Sequence, residues 1–169
     1  MTRFHLTIPQ HQARLVALAV AYHLARPGAE LDPDTIAEYE HGLAEVSALL
    51  DAQLDAEAAS IDLNSLQVTL LSNALSSVIS ELKMYSVFDT MAGASPRPRS
   101  TAPGFDEQLR SLFPEAAGDP SYASQLAADM TMLRRQLPAA RARQLLEEER
   151  RAAEEAAGAR KRPWQFWKR

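Results

Sequence analysis

Glu38 and His41 are the two residues whose spacing could hold a metal ion. They lie three positions apart in a stretch predicted to be helical, and helical bundles that bind two metal ions use this spacing to direct two ligands toward one metal. A complete site needs a second such pair and glutamates from two further helices, whereas the sequence has one pair. A symmetric dimer could supply the second pair, so a metal-dependent enzyme or metal store remains an alternative. Our leading interpretation places both residues on a polar, exposed helix face, with no cofactor.

Other patterns typical of catalysis are missing from the sequence. With no cysteine, the chain has no thiolate ligand, cysteine nucleophile or disulfide. It has no glycine-rich phosphate loop, no G-x-S-x-G motif and no His-Glu-x-x-His motif. His11 and His23 point about 120° apart around a helix, so they form no ligand set with each other or with His5. Four serines lack a nearby histidine and are interpreted as packing positions, namely Ser72, Ser76, Ser77 and Ser80. We therefore expect a protein that is not an enzyme.

The last ten residues combine large aromatic rings with positive charge. Both tryptophans lie among the last six residues, and residues 160–169 hold three aromatic rings, five basic side chains and no acid. A short segment of this kind can bury its rings only by docking onto a surface. We call residues 160–169 the C-terminal tail and predict that it binds a protein partner or an anionic membrane surface. The residues expected to make contact are Arg160, Lys161, Arg162, Trp164, Phe166, Trp167, Lys168 and Arg169.

Free-energy estimates indicate that the C-terminal tail binds weakly and reversibly. Burying its three rings gains about 10 to 15 kcal/mol, while ordering its ten residues costs about 10 to 20 kcal/mol. Each basic residue near an anionic surface adds up to about 1 kcal/mol, which is enough to favour binding. The alternative is that the rings fold back onto the chain's own helices, where the positive charges of the tail would meet acidic side chains.

A second group of basic residues makes a nucleic-acid-binding regulator the third hypothesis. Arginine side chains suit phosphate contacts. Residues 1–92, however, hold 12 acidic and 4 basic side chains, and this balance repels nucleic acid. A nucleic-acid partner is therefore not expected, and we interpret these arginines as a solvated face or as partners of the chain's own acids. They are Arg97, Arg99, Arg134, Arg135, Arg141 and Arg143.

The composition predicts an all-α fold, because alanine, leucine, glutamate and arginine favour helices. A first helix is expected from about Pro9 to Arg26, and Asp32 followed by Pro33 is expected to begin a second. Apolar residues of the second helix recur at alternating steps of three and four, which is typical of a seam in a helix hairpin or coiled coil. We predict that this seam joins copies of the chain into a homo-oligomer through Ile36, Tyr39, Leu43, Val46 and Leu50.

The rest of the chain is predicted to be helical apart from a turn or kink near 56–62 and one linker. Because 56–62 contains no glycine or proline, a helix that continues through it is the alternative. A long central helix is expected over 63–91, a short one from Phe105 to Phe113, and another from Asp119-Pro120, which Pro138 should kink or break. The predicted domain map is a helical bundle (1–92), a flexible proline-rich linker (93–104), a helical segment packing on or near the bundle (105–146) and an extended charged helical arm carrying the tail (147–169).

Together these features predict a non-enzymatic helical adaptor or scaffold protein that self-associates and docks through its C-terminal tail. The absence of cysteine is compatible with a reducing cytoplasm, and the basic tail suggests peripheral contact with a membrane. The apolar run 15–25 resembles the core of a signal peptide, but Tyr22 and His23 interrupt it and no clean cleavage site follows. A cytoplasmic location is therefore expected, with a membrane-peripheral one as the alternative.

Overall fold

The computed structural model describes residues 3–26, 42–90, 102–117 and 119–160. This part of the chain is mostly helical, which confirms the predicted class. It forms two compact units, Met1–Arg135 and Gln136–Arg169. In chain order, its elements are β1 (Phe4–Pro9), α1 (Gln10–Ala25), α2 (Leu43–Asp51), β2 (Ala58–Leu63), α3 (Ser65–Thr90), α4 (Phe105–Leu112), a 3-10 turn (Pro114–Ala117) and α5 (Pro120–Arg160).

A two-stranded sheet in the first unit was not predicted. β1 and β2 pair antiparallel, with Phe4 opposite Leu63 and Ile8 opposite Ala59. Inward-facing and outward-facing residues alternate along both strands, as the pleat of a strand requires. The turn expected near 56–62 is therefore placed too late, because the chain turns over 52–57 and is extended from Ala58.

Helix α1 lies at the centre of the first unit. It packs against α2, α3 and α4, and Leu15, Val16, Leu18 and Val20 are fully buried. A helix that is apolar on nearly all sides is typical of a core helix rather than a surface one. Its predicted bounds are confirmed, since it begins directly after Pro9 and ends before Arg26.

Reciprocal side-chain hydrogen bonds fix the start of α3. The main-chain N–H of Gln67 donates to Asn64 Oδ1 at 2.8 Å, and that of Asn64 donates to Gln67 Oε1 at 2.9 Å. This is the arrangement of a capping box. Gln67 is almost fully buried, and its Nε2 also donates to Glu45 of α2 at 3.1 Å. The central helix therefore begins at Ser65, just after β2, and is held to α2 at that end.

One side chain covers the outer edge of β2. Gln53 Oε1 accepts a hydrogen bond from the main-chain N–H of Ser60 at 2.9 Å, and Gln53 Nε2 donates to the carbonyl of Ser60 at 3.2 Å. The amide thus pairs with the backbone as a neighbouring strand would, and unpaired strand edges are sites of unwanted association.

The beginnings of α4 and α5 follow the sequence signals. Gly104 precedes α4 with φ of 76°, a left-handed conformation that glycine adopts without strain. Asp119 precedes Pro120, and its Oδ1 accepts a hydrogen bond from the main-chain N–H of Ser121 at 2.8 Å. The end of the predicted linker is also described: Ala102 is buried and accepts a hydrogen bond from the N–H of Phe105 at 3.3 Å.

Of the kink or break predicted at Pro138, the break is wrong, because α5 remains helical through this residue. Proline removes one main-chain hydrogen bond and costs about 3 kcal/mol inside a helix. The residues that follow, Ala139, Ala140 and Arg141, are strong helix formers. Their preference for the helical conformation offsets part of this cost.

Candidate functional site

The described part of the predicted self-association seam lies inside the chain. Leu43, Val46 and Leu50 of α2 are at most 1% exposed, and α2 packs against α1, α3 and β2. Leu49, which lies outside this face of α2, is 42% exposed. The side of α2 that carries these three seam residues is therefore covered by the first unit itself. Ile36 and Tyr39 lie outside the described residues.

The other predicted site residues fall mostly in segments that are not described. Glu38 and His41, the candidate metal ligands, lie outside the described residues. Of the C-terminal tail, Arg160 is described as the last residue of α5, and residues 161–169 lie outside. Within the described ranges, no group of three or more histidine, aspartate or glutamate side chains is placed to hold a metal ion.

The charged arm that precedes the tail presents its side chains to solvent. In the second unit, residues 149–154 are all exposed, and Arg150 Nη1 lies 3.7 Å from Glu154 Oε1. This is one of the ion pairs expected from an i,i+4 spacing, and such pairs stabilise an exposed helix by a few tenths of a kcal/mol. Leu145 and Leu146, 41% and 65% exposed, add apolar surface to the same helix. None of the described helices is both long enough and apolar enough to cross a bilayer.

Two histidines of the first unit are paired with aspartates. His5 Nδ1 lies 2.8 Å from Asp62 Oδ1 across the two strands, and His11 Nε2 lies 3.1 Å from Asp129 Oδ2. The ring of His11 also makes an edge-to-face contact with Phe113, at 5.8 Å between centroids. Such exposed pairs orient side chains and contribute little to stability.

Two arginines donate hydrogen bonds to consecutive serines of α3, and local sequence reasoning did not find this arrangement. Arg134 Nη1 donates to Ser76 Oγ at 2.8 Å, and Arg26 Nη1 donates to Ser77 Oγ at 3.5 Å. The partners are 58 and 51 positions apart in the chain, so no short motif joins them. Arg134 was recognised only as part of a basic group, and the serines only as packing positions.

The serine hydroxyls near these arginines are themselves bonded to the helix. Ser76 Oγ donates to the carbonyl of Ser72 at 2.8 Å, and Ser77 Oγ donates to that of Asn73 at 3.1 Å. Since a hydroxyl has a single proton, both oxygens act as acceptors toward the arginines. We call Arg26, Arg134, Ser76 and Ser77 the arginine–serine cluster.

Comparisons of the chain with protein-family models, curated proteins and solved structures give no match.

Proposed function

We propose that this protein is a non-enzymatic adaptor or scaffold that self-associates and docks through its C-terminal tail onto an anionic, partly apolar surface. That surface belongs to a protein partner or to a membrane. The proposal includes a helical body, a flexible proline-rich linker and an extended helical arm that presents the tail. It places the protein in the cytoplasm, in peripheral contact with a membrane if the surface is a bilayer.

The observation that carries the proposal is the composition of the tail. Trp164, Phe166 and Trp167 stand among five basic residues and no acid within residues 160–169. Aromatic rings partition to interfaces where one end is apolar and the other is wet, and basic side chains are attracted to anionic surfaces. The combination favours a weak, salt-sensitive docking segment.

The charged arm supports the proposal because it is suited to act as a spacer. Its last described side chains, residues 149–154, are solvent-exposed and are alanine, arginine and glutamate. A helix with such a surface does not need to bury a face. The aromatic residues that follow it then supply the tail with apolar surface for binding.

Vesicle binding and tryptophan fluorescence test the docking. Both tryptophans belong to the tail, so the emission of the full-length protein reports on the tail alone. We expect solvent-exposed emission in the free protein and a blue shift on vesicles containing phosphatidylserine. Replacing Trp164 and Trp167 with alanine should abolish cosedimentation with these vesicles and leave the melting temperature nearly unchanged.

Charge variants supply the matched control. Replacing Lys161, Arg162, Lys168 and Arg169 with glutamine should weaken vesicle binding, and salt should weaken wild-type binding because it screens these charges. The same change at Arg150 and Arg151, exposed residues of the arm, should have a much smaller effect.

Blue-shifted emission without vesicles, together with a lower melting temperature of the tryptophan variant, would instead show that the tail folds back and would overturn the docking proposal. Capture of a protein partner that needs both tryptophans, without vesicle binding, would identify the surface as a protein.

A further inference from the structure

We propose that the arginine–serine cluster is a binding site for a small oxyanion of the phosphate class. Arg26 follows α1, Arg134 lies on α5, and both donate to adjacent serines of α3. The end of α1, α3 and α5 therefore all contribute to the cluster, with the two guanidinium groups hydrogen-bonded to consecutive residues of α3. Guanidinium groups bind phosphate oxygens through two parallel hydrogen bonds, which makes arginine the preferred residue for such ligands.

Within the part of the chain that the structure describes, no ion pair balances the charge of Arg26 or Arg134. The hydrogen-bond partners of these two arginines are neutral hydroxyls. Arg134 is half-buried. A partly desolvated cation without a counter-ion is costly, and a bound anion would remove that cost.

Hydrogen bonding fixes the direction of Arg134. Because the proton of Ser76 is directed to Ser72, the Ser76 oxygen is held as an acceptor and orients the guanidinium that donates to it. A guanidinium has five N–H donors, so four remain after the bond to Ser76. Prior orientation of donors lowers the entropic cost of binding a ligand.

One acidic group opposes anion binding at this site. Glu81 lies four residues beyond Ser77 on α3, about 6 Å along the helix axis, and its Oε2 accepts a hydrogen bond from the hydroxyl of Tyr22 at 3.2 Å. Its negative charge should weaken anion binding, because like charges repel. Neutralising this residue is therefore expected to strengthen binding.

Calorimetric titration of the full-length protein tests the site. The probes are inorganic phosphate and glycerol 3-phosphate, each at constant ionic strength against a sodium chloride blank. We expect saturable binding that Arg134→Gln weakens by about tenfold or more, since a charged hydrogen-bonded pair is lost. Arg135→Gln is the matched control, because it removes the same charge from the exposed adjacent residue, and it should change affinity by less than about twofold. Glu81→Gln should increase affinity.

The outcomes distinguish a specific anion-binding site from nonspecific attraction of anions to positive charge. Tighter binding of glycerol 3-phosphate than of phosphate would support the site and identify its ligand as a phosphomonoester, and the reverse order would identify free phosphate. No saturable binding by the wild type, or equal losses of affinity in Arg134→Gln and Arg135→Gln, would overturn the proposal.

Arg26→Gln should also weaken binding. If it lowers the melting temperature and leaves binding unchanged, Arg26 serves only to neutralise the end of α1, and a site built on two arginines is refuted.

Discussion

Asp119 shows how one residue sets the start of the longest helix. Hydrogen bonds from the side chain and then the main chain of Ser121 lower the pKa of Asp119 below its ordinary value of 3.8. A carboxyl group whose pKa is lower in the folded state stabilises the fold above its unfolded pKa. This contribution is lost as the pH falls through the folded value. The ionised Asp119 side chain should therefore stabilise the fold at neutral pH, and this stabilisation should decrease in acid below pH 3.8.

Replacing Asp119 with alanine is expected to lower stability at neutral pH, because the main-chain N–H of Ser121 in the first turn of α5 loses its acceptor. The difference from wild type should shrink as the pH is lowered below 3.8. Asp119→Asn is the control, because it keeps a capping oxygen and loses the charge. Urea unfolding at neutral and acidic pH measures both variants, and a stability loss in Asp119→Ala that does not depend on pH would contradict the assignment.

Residue-level prediction from the sequence worked where the signal is local. Asp119 and Pro120 are adjacent, and their capping role was predicted correctly. The pairing of Arg134 with Ser76 joins residues 58 positions apart, and no local periodicity encodes such a contact. The apolar spacing of Leu43, Val46 and Leu50 identified a face to be buried. It carried no information on whether the chain itself or another copy would cover that face.

At the scale of elements, the first helix and α4 were predictable, the second helix was wrong in part, and the strands were overlooked. The helix predicted from Asp32 does not run unbroken into α2, because Gly42 is extended and α2 begins at Leu43. The first helix and α4 follow proline and apolar signals closely. The strands carried a signal too, because Phe4, Leu6 and Ile8 alternate with outward-facing residues. In β1, Pro9 was interpreted as the start of the first helix. In β2, alanine, serine and aspartate favour strands little, so a six-residue segment gave too weak a pattern.

Helix α2 offers two leucines for a comparison of buried and exposed positions. Leu43→Asp should cost about 3 kcal/mol or more, because Leu43 is fully buried and an unpaired carboxylate would enter the core. Leu49→Asp, at a position 42% exposed, should change stability by about 0.5 kcal/mol or less. Thermal and urea unfolding measure both. Equal effects of the two substitutions would mean that α2 does not pack as described.

Self-association is a property of the whole molecule and remains a prediction. We expect a dimer or larger oligomer, because large apolar side chains remain exposed on several helices, among them Leu66, Met84, Met132 and Leu146, and burial of such groups favours association. Sedimentation equilibrium of the full-length protein at micromolar concentration tests this expectation. A monomer throughout that range would refute it. Leu49→Asp serves as the probe of α2, because Leu43→Asp would act on folding instead.

The pairing of β1 with β2 imposes an order of events during synthesis. Leu63, the partner of Phe4, is made 54 residues after Pro9 ends β1. At about 5 to 20 residues per second, translation takes about 3 to 11 seconds to cover this interval. During it, Phe4, Leu6 and Ile8 have no partner strand, and an unpaired apolar strand is a site of aggregation. The pace of translation between Gln10 and Leu63, rather than the stability of the finished fold, therefore sets how long each nascent chain is exposed to that risk.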